Sequence, residues 1–424
     1  MKFQLIWVFA FVFGIFGSTQ ASSSLEALYQ PQVPLQKNRS EIEFWKSKIK
    51  SNPNGYIYFG RLASAESRAF QLNGNIQHLK NAENHLLESL DHPAKDHVPL
   101  LCALARNYIS QHRFCEALDI LDEAATHRSE ERMVKLLLFD VYLELGWNNE
   151  AKQTLNQLGM DRNFDYLIRR AKWEDGQGRL NLAVRYLERA RKLAEKSNQK
   201  HQKAWIYSNL GDFYGHQGRI DKSKSSFIKA LQIDPGDDHS LKGLAWIEYS
   251  HNDDPEKALQ LLDRILSVKV SPDHLMLKAE LLSYISRTQQ ANELKEVVFE
   301  LAGSGPYGDM YNLLKAEFHL EKPHHAHKAI QLLEKEVQER STPEIVAFLS
   351  YAKWKKGDLG EARKLAIDVI GQTFEPVALL HILAVIEDQN SRDQIIKELK
   401  DARYELGPVT YSHFESLSHG QNNI

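Results

Sequence analysis

Three histidines crowd into Pro323-His324-His325-Ala326-His327, and their type and spacing raise the question of metal chemistry. His324 and His327 would share a face if the stretch were helical, and an imidazole pair can bind zinc or copper. A metal site needs further ligands, and none is suitably spaced nearby, so the stretch reads as a solvated helix start and no metal is expected. Gly176-Gln177-Gly178 and Gly303-Ser304-Gly305 could cradle a phosphate only if each followed a strand and opened a helix. Neither does, and both read as turns. Asp253-Asp254 is a capping pair rather than an acid/base couple. H-E-x-x-H, G-x-S-x-G and P-loop patterns are absent from the sequence, so no catalytic residue and no cofactor is expected. Asn38-Arg39-Ser40 fits a glycosylation sequon, which has meaning only in a eukaryotic secretory pathway.

Composition narrows the class. The 424 residues carry 53 basic and 56 acidic side chains, a net charge of −3. A nucleic-acid binder would show a concentrated basic excess, so that partner is excluded. A hydrophobic content of 42% with 26% charged residues belongs to a chain that folds in water. Leu5 to Phe16 is an unbroken apolar run behind Lys2, followed by Gly17-Ser18-Thr19-Gln20-Ala21, with Thr19 and Ala21 as the small pair before a cleavage point. That layout is a secretory signal, residues 1–21, and no later run is apolar enough to span a membrane. The expected location is therefore periplasmic or extracellular, with no stable membrane span after cleavage. The short signal and the lack of a disulfide framework lean towards a bacterial envelope. Cys102 and Cys115 are the only cysteines, and within one helical hairpin their heights match poorly for a disulfide, so two buried thiols are expected.

The elements that would carry any site repeat. In Ala204 to Asp237, Tyr207, Leu210, Gly211 and Tyr214 recur at helical spacing, Gly218 marks a turn, and Ser223, Phe227 and Ala230 line a second helix that Pro235-Gly236 stops. One small residue per second helix serves as a ruler: Ala82, Ala117, Ala151, Ala183, Ser223, Ala258, Ala291, Ala329 and Ala362, at steps of 35, 34, 32, 40, 35, 33, 38 and 33. The long steps fall at the polar insertions Lys196–Lys203 and Lys322–His327. Asp254-Pro255, Ser271-Pro272 and Thr342-Pro343 each pair a capping side chain with a first-turn proline.

This pattern resembles the tetratricopeptide repeat, a 34-residue helix–turn–helix with W-x2-L-G-x2-Y, then A-x3-F, then P. Tyr207 stands at the tryptophan position and Ser223 at the alanine, while Leu210, Gly211, Tyr214, Phe227, Ala230 and Pro235 agree. The resemblance implies an all-α, right-handed superhelical solenoid of about nine helix pairs over residues 52–405. Before it, residues 22–51 would form a linker (Ser22–Ser40) and a short leading helix (Glu41–Lys50). After it, residues 406–424 would be a tail, unstructured from His413.

The resemblance also implies that first helices line a concave groove holding an extended peptide or partner helix. The residue after the small one in each first helix would point into it: Arg106, Asp140, Lys172, Asp212, Trp246, Glu280 and Glu317, with Trp205, Tyr249 and Tyr284 close by. Trp246 and Asp212 would then be surface residues whose joint replacement leaves melting nearly unchanged. The groove mixes both charge signs and does not reproduce the lysine and asparagine set by which some family members clamp a C-terminal carboxylate. The expected function is a non-catalytic exported scaffold or adaptor for protein or peptide partners. The alternative is an accessory subunit or cryptic hydrolase with its chemistry in the inter-repeat loops.

Overall fold

The computed structural model describes residues 26–92, 97–127, 131–159, 163–303 and 305–419. The expected export signal lies outside these residues. Those described form an all-helical solenoid with no strand among them. A leading helix, α1 (Gln32–Ser51), precedes nine pairs. The first four are α2 (Tyr56–Asn73) with α3 (Ile76–Leu90), α4 (Val98–Ser110) with α5 (Phe114–Ala125), α6 (Glu131–Leu145) with α7 (Asn148–Gln157), and α8 (Phe164–Gly176) with α9 (Leu180–Lys196). The next three are α10 (Lys200–His216) with α11 (Ile220–Ile233), α12 (Asp238–Ser250) with α13 (Pro255–Leu266), and α14 (Pro272–Tyr284) with α15 (Thr288–Ala302). Then come α16 (Asn312–Glu321) with α17 (Ala326–Glu339) and α18 (Pro343–Lys356) with α19 (Leu359–Val369). A tenth, less regular pair, α20 (Pro376–Val385) and α21 (Gln389–Leu399), leads into α22 (Arg403–Ser418).

The ruler explains the packing. Each of its nine small residues sits in the second helix of a pair and is fully buried, because a larger side chain there would hold neighbouring backbones apart. In the middle pair, the Phe227 ring fills the space that Gly211 and Gly243 leave empty: a Cβ on either glycine would overlap that ring. Ser223 takes the alanine position at no polar cost, since its hydroxyl donates to the Gly211 carbonyl at 2.6 Å. The three capping pairs form as expected: Asp254 accepts from the Lys257 N–H at 3.0 Å, Ser271 from His274 at 3.0 Å and Thr342 from Ile345 at 3.4 Å.

Each of the nine regular pairs turns through one residue at positive φ. Glycine fills that place at 74, 146, 178, 218 and 357, while His112, Asp253, Ser286 and His324 fill it elsewhere. His324 is thus the turn residue of its pair, at φ 63°, which separates it from His327 in the first turn of α17. The His327 ring Nδ1 lies 3.0 Å from the His324 carbonyl.

Several boundaries differ from expectation. The leading helix starts at Gln32 rather than after Ser40, because Leu35, Asn38 and Ile42 form one buried face against α2. Asn38 of the sequon is buried there, its side-chain amide donating to the Ala65 carbonyl at 2.9 Å. The Lys196–Lys203 insertion is not a loop; it lengthens α9 and α10 to 17 residues each. The tail is not unstructured from His413: Phe414 and Leu417 of α22 are buried against α20 and α21, and Arg392 donates to the Leu417 carbonyl at 3.0 Å. Cys102 is buried but Cys115 is exposed, and no disulfide joins them.

The superhelix meets itself. Phe70, Ile76 and Leu79 of the first pair share a cluster with Ala302, Tyr307, Met310 and Tyr311. Cys115 Sγ lies 3.6 Å from the Glu339 carbonyl, and the Arg340 guanidinium stands 5.4 Å from the Phe114 ring centre. Gly146 approaches Ser341 and Gly178 approaches Phe374 so closely that a Cβ would come within 2.8 Å and 2.6 Å of them.

Candidate binding groove

First helices touch first helices of the next pair, α4 to α6, α6 to α8 and α10 to α12, and so share an inner face. In its middle that face is occupied by the chain itself: α22 packs against α10, α12 and α14, three consecutive first helices. The helix breaks at Gly407 (φ 71°, ψ 166°), followed by Pro408. The half before the break enters the groove. The Trp246 indole Nε1 donates to the Tyr404 carbonyl at 2.7 Å. The Tyr404 ring lies against Gly215, where a Cβ would come within 2.5 Å of it, and its hydroxyl lies beside Ser223. Gly407 rests on the Trp246 ring, with room for no side chain.

The expected groove residues fall into three settings. Arg106 and Trp205 are exposed, the indole edge-on to Phe164 at 5.9 Å between centres. Asp140 and Lys172 are half-buried and paired to neighbouring first helices: Asp140 with Arg169 at 2.6 Å, Lys172 with Glu144 at 3.0 Å. Burial opposes the charge on Glu144, but Lys172 outweighs it and holds that carboxyl down at about 2. Asp212 meets His239 at 2.7 Å, and this carboxylate raises the pKa of the imidazole.

Trp246, Tyr249, Glu280 and Tyr284 form the third setting. Tyr249 is buried, edge-on to both Trp246 and Tyr284, and its hydroxyl donates to Glu280 at 2.8 Å while accepting a backbone bond from Val409. Tyr284 donates to Asp253 at 2.6 Å. Trp246 is half-buried beneath α22, which corrects the expectation that it could be replaced without thermal cost. Glu317 reaches solvent at its tip, yet the surrounding protein, with Glu321 and Glu280 adding to it, pushes its carboxyl up to about 7.

Sequence reasoning missed His239, Glu144 and Tyr404. A signal existed for the first two, since groove ion pairs recur about one repeat apart: 29 residues for Asp140–Arg169, 28 for Glu144–Lys172 and 27 for Asp212–His239. None existed for Tyr404, which reaches the groove only because the superhelix curls round. The described residues hold no group of three or more histidine, cysteine or acidic side chains placed to bind a metal.

Two of the helix pairs, α10–α11 and α12–α13, match the tetratricopeptide repeat. The profile described as tetratricopeptide repeat matches residues 202–269, which span α10 to α13, and the pairs on either side keep the same buried ruler. Similar solved structures include PilW, a type IV pilus biogenesis factor (17% identity, TM-score 0.39, covering 50% of this chain and 98% of that one). A tetratricopeptide repeat protein from Parabacteroides merdae is similar at 17% identity and TM-score 0.39, over 58% of this chain and 94% of that one. The Cut9–Hcn1 hetero-tetramer is similar at 11% identity and TM-score 0.35, over 92% and 94%. Scores this low carry nothing about function. No match was found among curated proteins.

Proposed function

We propose that this chain is a non-catalytic, exported scaffold that holds protein or peptide partners on the inner face of its superhelix. One observation carries the reading: three consecutive first helices already hold a segment of the chain itself, α22, with Tyr404 and Gly407 seated on the face they share. Exposed Arg106 and Glu317 continue that face on either side of the occupied stretch, so a partner has surface to reach. Export rests on the apolar run Leu5 to Phe16 and the small pair Thr19 and Ala21, and the site of action is the periplasm or the cell exterior.

The test has two parts. N-terminal sequencing of the exported fraction should begin at Ser22; an intact Met1 on membrane-bound protein overturns the export half. A photo-crosslinking residue placed at Arg106 or Glu317 should capture protein partner in the native host. The same residue at Arg185, exposed on the second helix α9, should capture little. Capture that favours Arg185 overturns the groove as the binding face.

A further inference from the structure

We propose that the groove across α10, α12 and α14 is a socket for one kind of peptide, an aromatic residue followed three positions later by glycine, and that Tyr404 to Gly407 is a built-in stand-in for it. This rests on the scaffold reading and names the ligand chemistry of its central section. The socket selects both residues by shape. Gly215 clears the floor for a tyrosine ring, with Ser223 beside its hydroxyl. Three residues on, Trp246 lies flat where any Cβ would collide, 2.8 Å from its Cη2, and a positive φ of 71° excludes most side chains independently. Between them the Trp246 N–H fixes the register by binding the tyrosine carbonyl at 2.7 Å. Of the two intervening side chains, Leu406 is buried in the C-terminal core and Glu405 is half-buried.

The break at Gly407 divides α22 into two halves, and both reach the C-terminal core, Leu406 from before the break and Phe414 and Leu417 from after it. Withdrawal of Tyr404 to Gly407 therefore costs that core Leu406 and leaves Phe414 and Leu417 in place. Docking also carries Glu405 into protein, where burial, with Glu375 and Asp175 nearby, pushes its carboxyl up to about 7. Bringing carboxylates together weakens the hold on the segment at neutral pH.

The experiment uses full-length chain and a fluorescein-labelled decapeptide with the sequence of residues 403–412, read by fluorescence anisotropy. Gly407→Ile expels the internal segment, and the peptide should then bind about ten-fold more tightly than to wild type, as expected when a self-ligand occupies the site nine-tenths of the time. A peptide carrying the same Gly→Ile change should not bind, and adding Trp246→Ala to the expelled chain should abolish binding. Equal affinity for both proteins, no binding to a folded Gly407→Ile chain, or binding indifferent to Trp246→Ala each overturn the proposal. If Gly407→Ile loses its helical circular dichroism, Tyr404→Ala in the full chain replaces it, with the same results expected. Peptide failure alone overturns this inference and leaves the scaffold reading; crosslinks favouring Arg185 overturn the scaffold reading whatever the peptide does.

Discussion

Two stretches of one inner surface, built from the same hairpin, end up with opposite character. Between α4 and α8 the inward row is charged, and Asp140–Arg169 and Lys172–Glu144 doubly stitch α6 to α8. Between α10 and α14 the row turns aromatic, at Trp246, Tyr249 and Tyr284, and small, at Gly215. The charged stretch satisfies itself and stays wet. The aromatic stretch leaves space and an indole N–H that only another backbone fills. Architecture therefore fixes where a groove lies, and one or two positions per repeat decide whether it is a surface or a socket.

The sharpest way to break that contrast is at the hairpin crossing beneath the socket. Gly211→Leu drives a side chain into the Phe227 ring, which the next pair shares through Gly243. It should cost about 3 kcal/mol, the upper end for overpacking, read as a lower urea midpoint. A smaller effect separates the two stretches directly. Trp246→Ala should cost roughly 2 kcal/mol, below the 3–5 typical of a fully buried tryptophan, and should speed amide exchange at residues 403–406. Lys172→Ala in the charged stretch should cost about 1 kcal/mol or less and leave exchange at 403–406 unchanged. Equal exchange in the two variants would show that α22 is not held by the socket.

The smallest effect depends on pH. Glu317 is raised to about 7 in the folded chain, above its unfolded value near 4.3. Between those values the folded state binds the extra proton, so stability falls as pH rises through that window and the loss is complete above it. Glu317→Gln removes this loss: it should raise the melting temperature at pH 8 and leave it unchanged at pH 5. Because the side chain reaches solvent, the gain should be slight. A gain at pH 5 equal to that at pH 8 would exclude the carboxyl as its source.

Legibility in the sequence followed locality. The ruler residues, the capping prolines and the Gly211 crossing are short-range devices, and each stands where spacing put it. Groove positions could be named as a row, because the residue after a buried small one sits about 100° round the helix from it. Their partners could not. The neighbours of Tyr249 include Glu280 and Val409, 31 and 160 residues on, and no hairpin pattern encodes a contact made by curvature. The three histidines show the converse: a cluster in sequence that the turn at His324 takes apart.

The meeting of the superhelix with itself has a mechanical consequence. A linear array of repeats touches only its neighbours and frays from its ends. Here the first pair is fastened to Tyr307 and Tyr311, and α4–α5 to Glu339 and Arg340, so the N-terminal hairpin cannot peel away alone. The spring becomes a clasped ring. Opening it means undoing the clasp before any repeat, and closing it in folding waits on contacts more than two hundred residues apart, as Cys115 and Glu339 are.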